Sequence, residues 1–316
     1  MPIFLATFQA VATLLGIGVL GFVILSRRTL PVPALRALNP LALDVALPAL
    51  VFVTIVLNLD PQERGDWWVM PLWWAGFTVF ALGASLAGAA AARRGRRREM
   101  AFTLFYQNAT FFPLIVLMGL YGPDAPVLAD LFLFNLFFAA MLFNTSHLFF
   151  KARRGPFRWG RTLNAVFVAT MAAMAIQLLG WRDYVPDFVL EALGMVGAMA
   201  TPLLMLIFGG NIYLDFSEKG PSYPLEAAKF VLLKNVAFPL ATLGLLAWIR
   251  PAWGVGLILL LEAAAPPVAS APIFAEREGG SRHLCSQFVL ASFLASLVSI
   301  PLAVWAFVRM FGAGPG

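Results

Sequence analysis

The chain has 316 residues, of which 61% are hydrophobic and only 12% charged, and its mean hydropathy is +0.84. A soluble domain is roughly half apolar and about a quarter charged, so a single water-soluble globule is excluded and lipid is the solvent that suits this surface. The net charge of +6 would point to nucleic acid in a soluble protein; here the basic residues sit in short segments between apolar runs, where membrane topology accounts for them, and no nucleic-acid partner is expected.

A bilayer-spanning helix needs about 20 mostly apolar residues. Apolar runs punctuated by charge, proline and glycine predict ten spans: 3–26, 39–57, 67–92, 100–121, 127–150, 162–181, 188–213, 225–249, 254–275 and 284–311. The first lacks a basic start and a small-residue cleavage site, so it reads as a spanning helix rather than a removed signal peptide. Trp67, Trp68, Trp181 and Trp248 fall near span ends, where aromatic rings favour the interface. The spans use nearly the whole chain, which leaves no separate soluble domain. The lone Cys285 excludes an internal disulfide framework and a Cys-rich metal site.

Lys and Arg alternate in density from one connection to the next. One side holds 16 of the 22, including Arg27, Arg28, Arg93, Arg94, the Arg96–Arg98 run and five within 151–161; the other holds Arg64, Arg182, Arg250 and Arg309, and Lys229 and Lys234 lie at or inside the eighth span. Basic loops stay in the cytoplasm. The count therefore places both termini outside, in a plasma membrane of the bacterial inner-membrane type, and supports ten spans, since a miscounted one would scramble the alternation. The Arg93–Arg98 run is read as a topological anchor, with an anionic-lipid site as the alternative.

The basic linker 151–161 separates residues 1–150 from 162–316. Each part holds five spans, an odd number, so the second must insert upside down relative to the first, the arithmetic of an inverted repeat. Leu47-Pro48-Ala49-Leu50 in span two and Thr201-Pro202-Leu203-Leu204 in span seven stand at an offset of 154, as do Pro113 in span four and Pro267 in span nine, and Asn108 and Glu262. Proline in a helix removes a backbone hydrogen bond, and in lipid the freed group needs another partner. Paired interruptions in corresponding spans are the sequence pointer to a carrier's site, here Tyr106 to Pro113 and Glu262 to Pro272; the alternative is packing kinks.

Glu262 stands out, because a carboxylate at mid-bilayer is costly and marks function or a buried partner. It is expected to carry a coupling proton or sodium ion, with Gln107 and Asp44 as further candidates; Asp44 lies one turn before Pro48. Lys234 is open to three roles: contact with an anionic substrate, pairing with Glu262 or Asp44, or snorkelling to the interface. Asn135, Asn144, His147, Asn211, Gln287 and Ser292 read as polar links between helices. No cofactor or resident metal is expected beyond a sodium ion at Glu262, and no nucleophile–base pair within the membrane suggests an enzyme.

The stretch Pro266-Pro267-Val268-Ala269-Ser270-Ala271-Pro272-Ile273-Phe274-Ala275-Glu276-Arg277-Glu278-Gly279-Gly280 resembles the auxin efflux carrier family, which includes bacterial carboxylate carriers and the plant PIN-FORMED proteins. Leu38-Asn39, Ala46 to Phe52, the spacing from Lys234 to Pro239, the spacing from Ser292 to Pro301, and Asn108 with Gly122 are similar to it too. The family places a proline seven residues after that Asn, where this chain has Ile115, and often has Asn where this chain has Ser270; these departures bear on the span-four break and on substrate choice. The resemblance implies an all-α polytopic membrane protein of the sodium/bile-acid-symporter-like, elevator type, with helices four and nine broken and crossed. It also implies a scaffold of spans 1, 2, 6 and 7, a transport domain of spans 3–5 and 8–10, and a homodimer.

Together these readings lead to a carrier for a small organic anion, a carboxylate, bound by Asn108, Thr110, Pro113, Pro266, Pro267, Ser270 and Lys234, with helix N-termini favouring the anion. The alternatives are a sodium- or proton-coupled cation antiporter, a sodium/organic-anion symporter of similar fold, or a non-transporting membrane sensor.

Overall fold

The computed structural model describes residues 2–61, 65–123, 125–150, 163–217, 220–312 and 314. The predicted linker 151–161, Thr162, Arg64 and Lys219 lie outside the described residues, as does the side chain of Arg36.

The described residues are almost wholly helical. Helix α1 spans Pro2–Ser26, and α2 (Val32–Pro40) runs through a wide π-turn, Leu41–Ala46, into α3 (Leu47–Asn58). Then come α4 (Met70–Ala89), α5 (Arg97–Phe105), α6 (Phe111–Tyr121), α7 (Val127–Phe134) and α8 (Phe138–Thr145). The rest of the chain forms α9 (Ala165–Leu178), α10 (Asp187–Ala198), α11 (Ala200–Ser217), α12 (Pro224–Val231), a second π-turn at Leu232–Ala237, α13 (Phe238–Ile249), α14 (Trp253–Ala264), α15 (Ala271–Arg277) and α16 (Arg282–Phe311).

Among the described residues, seven helical runs are long and apolar enough to cross a membrane: Ile3–Ser26, Val32–Asn58, Trp67–Ala89, Val127–Phe149, Asp187–Asp215, Pro224–Ile249 and Arg282–Phe311. Three shorter apolar helices, Phe111–Tyr121, Ala165–Leu178 and Trp253–Ala264, account for predicted spans four, six and nine. Spans four and nine fall short because each is cut in two, and α9 starts late because Asn164 caps it by accepting from the Phe167 N–H.

Proline explains most of the differences from the predicted boundaries. Span two begins at Val32, well before residue 39, because Pro33 lies in the first turn of α2, where its missing N–H costs nothing. Pro48 and Pro239 each sit in the first turn after a π-turn, so the wide turn absorbs the hydrogen bond that proline removes. Span five, predicted continuous, is interrupted between α7 and α8, where Asn135 caps α7 in a non-helical conformation.

The helices pack in two groups. α1 lies against α11, and α3 against α9 and α10. The other group joins α4 to α5 and α7, and α16 to α12, α14 and α15. The groups meet mainly where α1 packs on α16 and α6. Glycine permits the closest contact within the first group: a side chain at Gly209 would run into the Gly18 carbonyl, and one at Gly21 into the backbone of Leu206.

Candidate transport site

Two helix breaks cross at the centre of the second group. Residues 106–110 separate α5 from α6, and residues 265–270 separate α14 from α15. There the chain makes an isolated antiparallel β-bridge between Gln107 and Pro267. The Asn108 N–H donates to the Pro266 carbonyl at 2.7 Å, and the Val268 N–H donates to the Tyr106 carbonyl at 2.8 Å. Backbone groups freed in one break are thus taken up by the other, as a lipid setting demands. Neither bond uses a proline nitrogen, which is why Pro266 and Pro267 are tolerated there.

The breaks do not line up at the offset of 154 read from the prolines. Gln107 with Pro267, Thr110 with Ser270 and Phe111 with Ala271 stand 160 residues apart, not 154. Thr110 and Ser270 are the N-cap residues of α6 and α15, and neither side chain caps its own helix. Asn108 and Glu262 are not counterparts: Asn108 lies within its break, whereas Glu262 lies in the last turn of α14. Nor does Pro113 make the span-four break. It occupies the first turn of α6, where its lack of an N–H is harmless.

Glu262 is fully buried. Its Oε2 accepts from Gln107 Nε2 at 3.0 Å and its Oε1 from Asn135 Nδ2 at 2.7 Å. Asn135 also donates to the Ala109 carbonyl at 2.9 Å, so one amide ties the carboxyl to the span-four break. The Asn135 Oδ1 is buried without a hydrogen-bond partner. In the sequence Asn135 reads as a polar link between helices, and the break it sits in carries no proline or glycine to mark it.

Lys234 is 1% exposed on the second π-turn. It lies within electrostatic range of Glu262, but no ion pair within 4.0 Å joins them. Its ammonium stands 4.9 Å from the centre of the Phe238 ring, a cation–π contact. Snorkelling is therefore set aside. Next to it, Asn235 donates to the Ser292 carbonyl and accepts from the Ser292 hydroxyl at 2.8 Å, locking α16 to the second π-turn. Ser292 is thus a helix link, as its sequence position suggested.

Asp44 does not join this group. The first π-turn directs Ala42 and Ala46 inward and leaves Asp44 exposed, so the acid proposed as a partner in ion binding faces away from the site.

Thr110 and Ser270 are half-buried, while Gln107, Asn108, Pro266 and Pro267 are buried around them. Asn108 Oδ1 accepts a long bond of 3.4 Å from the Phe111 N–H. Beside the span-nine break runs a cleft lined by Asn211, Asp215, Ala269, Pro272 and Ser286, narrowed to about 10 Å³, roughly the room of one water.

Helical runs of spanning length, with two shorter broken helices that meet beside a buried carboxylate, suit a membrane transporter. The chain belongs to the membrane transport protein family, that of the auxin efflux carriers, whose pattern it matches over residues 6–158 and 155–304. No curated protein matches the sequence.

Proposed function

We propose that the protein is a secondary carrier for a small carboxylate, working by an elevator movement of one helix group against the other. The observation behind this reading is the mutual pairing of two helix breaks beside Glu262. Substrate would contact Asn108, Thr110 and Ser270, helped by the N-terminal end of α6. Lys234 would supply positive charge. Glu262, held by Gln107 and Asn135, would take the coupling proton or sodium ion.

The fuller architecture belongs to the same proposal: ten spans, a 5+5 inverted repeat, both termini outside, an inner-membrane location and a homodimer. Its support is that α6 and α15 begin 160 residues apart, at Phe111 and Ala271, and the family match in two stretches that meet near the basic linker. A cation carrier is the second reading, favoured by the buried carboxylate; with Asp44 facing away, it rests on Glu262 alone.

Purified protein in liposomes tests both. Uptake of labelled mono- and dicarboxylates is expected under a proton or sodium gradient, with loss in Asn108→Ala and Glu262→Ala. Uptake unchanged by both substitutions overturns the site assignment. Sodium or proton flux with no organic anion present would favour the cation carrier, and binding without flux a sensor.

A further inference from the structure

Most of the surface between the two helix groups is apolar. Phe293 on α16 stacks on Phe208 of α11 with ring centres 4.0 Å apart, and meets Phe112 of α6 edge-on at 4.9 Å. An apolar cavity of about 290 Å³ lies beside them, lined by Leu14, Gly18, Met205, Phe208, Leu290 and Phe293. Apolar burial is non-directional, so such a surface can slide and re-form its contacts.

One polar contact between the groups differs. Near the end of α11, Asp215 is 12% exposed at its side chain. Its Oδ1 accepts from Arg282 Nη2 at 2.6 Å and from Arg282 Nε at 2.8 Å. Its Oδ2 accepts from the Ser286 hydroxyl at 2.6 Å. Arg282 and Ser286 both belong to the first turns of α16, so both carboxylate oxygens on one group are engaged by the other. Charge-assisted hydrogen bonds of this kind are strong and directional, and a slide of a few ångströms breaks them. Asp215 and Ser286 also line the narrowed cleft that ends at Ala269 and Pro272, beside the span-nine break.

We propose that Asp215, Arg282 and Ser286 form the cytoplasmic gate of the carrier, a latch that holds the cleft shut and must part whenever the crossover exchanges with the cytoplasm. The gate rests on the elevator reading above. It also has a built-in open state. Arg282 Nη1 already lies 3.2 Å from Glu276 Oε2 at the end of α15, on its own group. When Asp215 withdraws, Arg282 keeps a partner, and Asp215 gains water instead of being stranded. Glu276 therefore competes with Asp215 for the same guanidinium and sets the balance between shut and open.

Distance measurements between spin labels in lipid nanodiscs test the gate without a known substrate. Tyr184, between α9 and α10 of the first group, and Trp248, on α13 beside α14 of the second, are 82% and 83% exposed, and take labels as Tyr184→Cys and Trp248→Cys in a Cys285→Ser parent. The parent should show one main distance and a minor second one. Asp215→Asn and Arg282→Gln should raise the second population several-fold, and Glu276→Gln should lower it. Two distances in the same proportion in every variant overturn the latch and leave the two-group motion standing. A single unvarying distance in parent and variants overturns the motion, and the gate with it.

Discussion

Glu262 offers the sharpest quantitative test, because its two oxygens serve two different breaks. Replacing it with alanine leaves the Gln107 and Asn135 amides without their buried acceptor. Asn135 keeps the Ala109 and Leu131 carbonyls as acceptors, so the penalty falls on Gln107; a buried donor left unpaired costs about 1–3 kcal/mol, and Glu262→Ala should lose about that much. Glutamine at 262 keeps the shape but can accept from only one amide, since its own NH2 points at the other. Turned so that its oxygen faces Gln107, Glu262→Gln should therefore lose less than Glu262→Ala. Thermal or denaturant unfolding of the purified protein in one detergent would rank wild type, Gln and Ala in that order of decreasing stability, while coupled uptake is lost in both variants. Equal stability of Ala and wild type would refute the reasoning, for it would mean that the amides are satisfied without the carboxyl.

Gly209→Ala should lower the yield of monodisperse protein in size-exclusion chromatography, because a methyl group there collides with the Gly18 backbone and overpacking costs typically about 1–3 kcal/mol. Gly16→Ala, with nothing within 4 Å of the added atom, should leave the profile unchanged. Gln177 on α9 donates to the Val56 carbonyl at 2.6 Å near the end of α3. Gln177→Ala should reduce stability by about 1 kcal/mol, the scale of an interhelical hydrogen bond in a membrane protein, without changing the relative uptake of different carboxylates.

Hydropathy made apolar runs legible because lipid demands them, and among the described residues seven helical runs reach spanning length where ten spans were predicted. Proline was an ambiguous marker. Pro266 and Pro267 mark a true break, whereas Pro33, Pro113 and Pro272 sit in first turns and interrupt nothing. The same ambiguity misled the repeat register. Pairing Pro113 with Pro267 matched a first-turn residue to a break residue and made Asn108 and Glu262 look like counterparts. Glu262 itself was legible from its cost in a membrane, and Gln107 from its neighbours. Asn135 was not, because its importance lies in what it reaches: the carboxyl of α14 and the carbonyl of Ala109, contacts that exist only once the chain is folded. Asp44 failed for the opposite reason. Its place in an apolar run looked deep, but the wide turn before Pro48 rotates it outward.

The bridge between Gln107 and Pro267 makes the two parts of the chain mutually obligate. Residues 1–150 inserted alone would leave the Tyr106 carbonyl and the Asn108 N–H without these partners, and residues 162–316 would leave the Pro266 carbonyl and the Val268 N–H without theirs. Cut at the linker and expressed apart, each would be a ready client for degradation; expressed together, they should find one another by the hydrogen bonds that each lacks. The smallest element of sheet in a helical protein thus works as a checkpoint on its assembly.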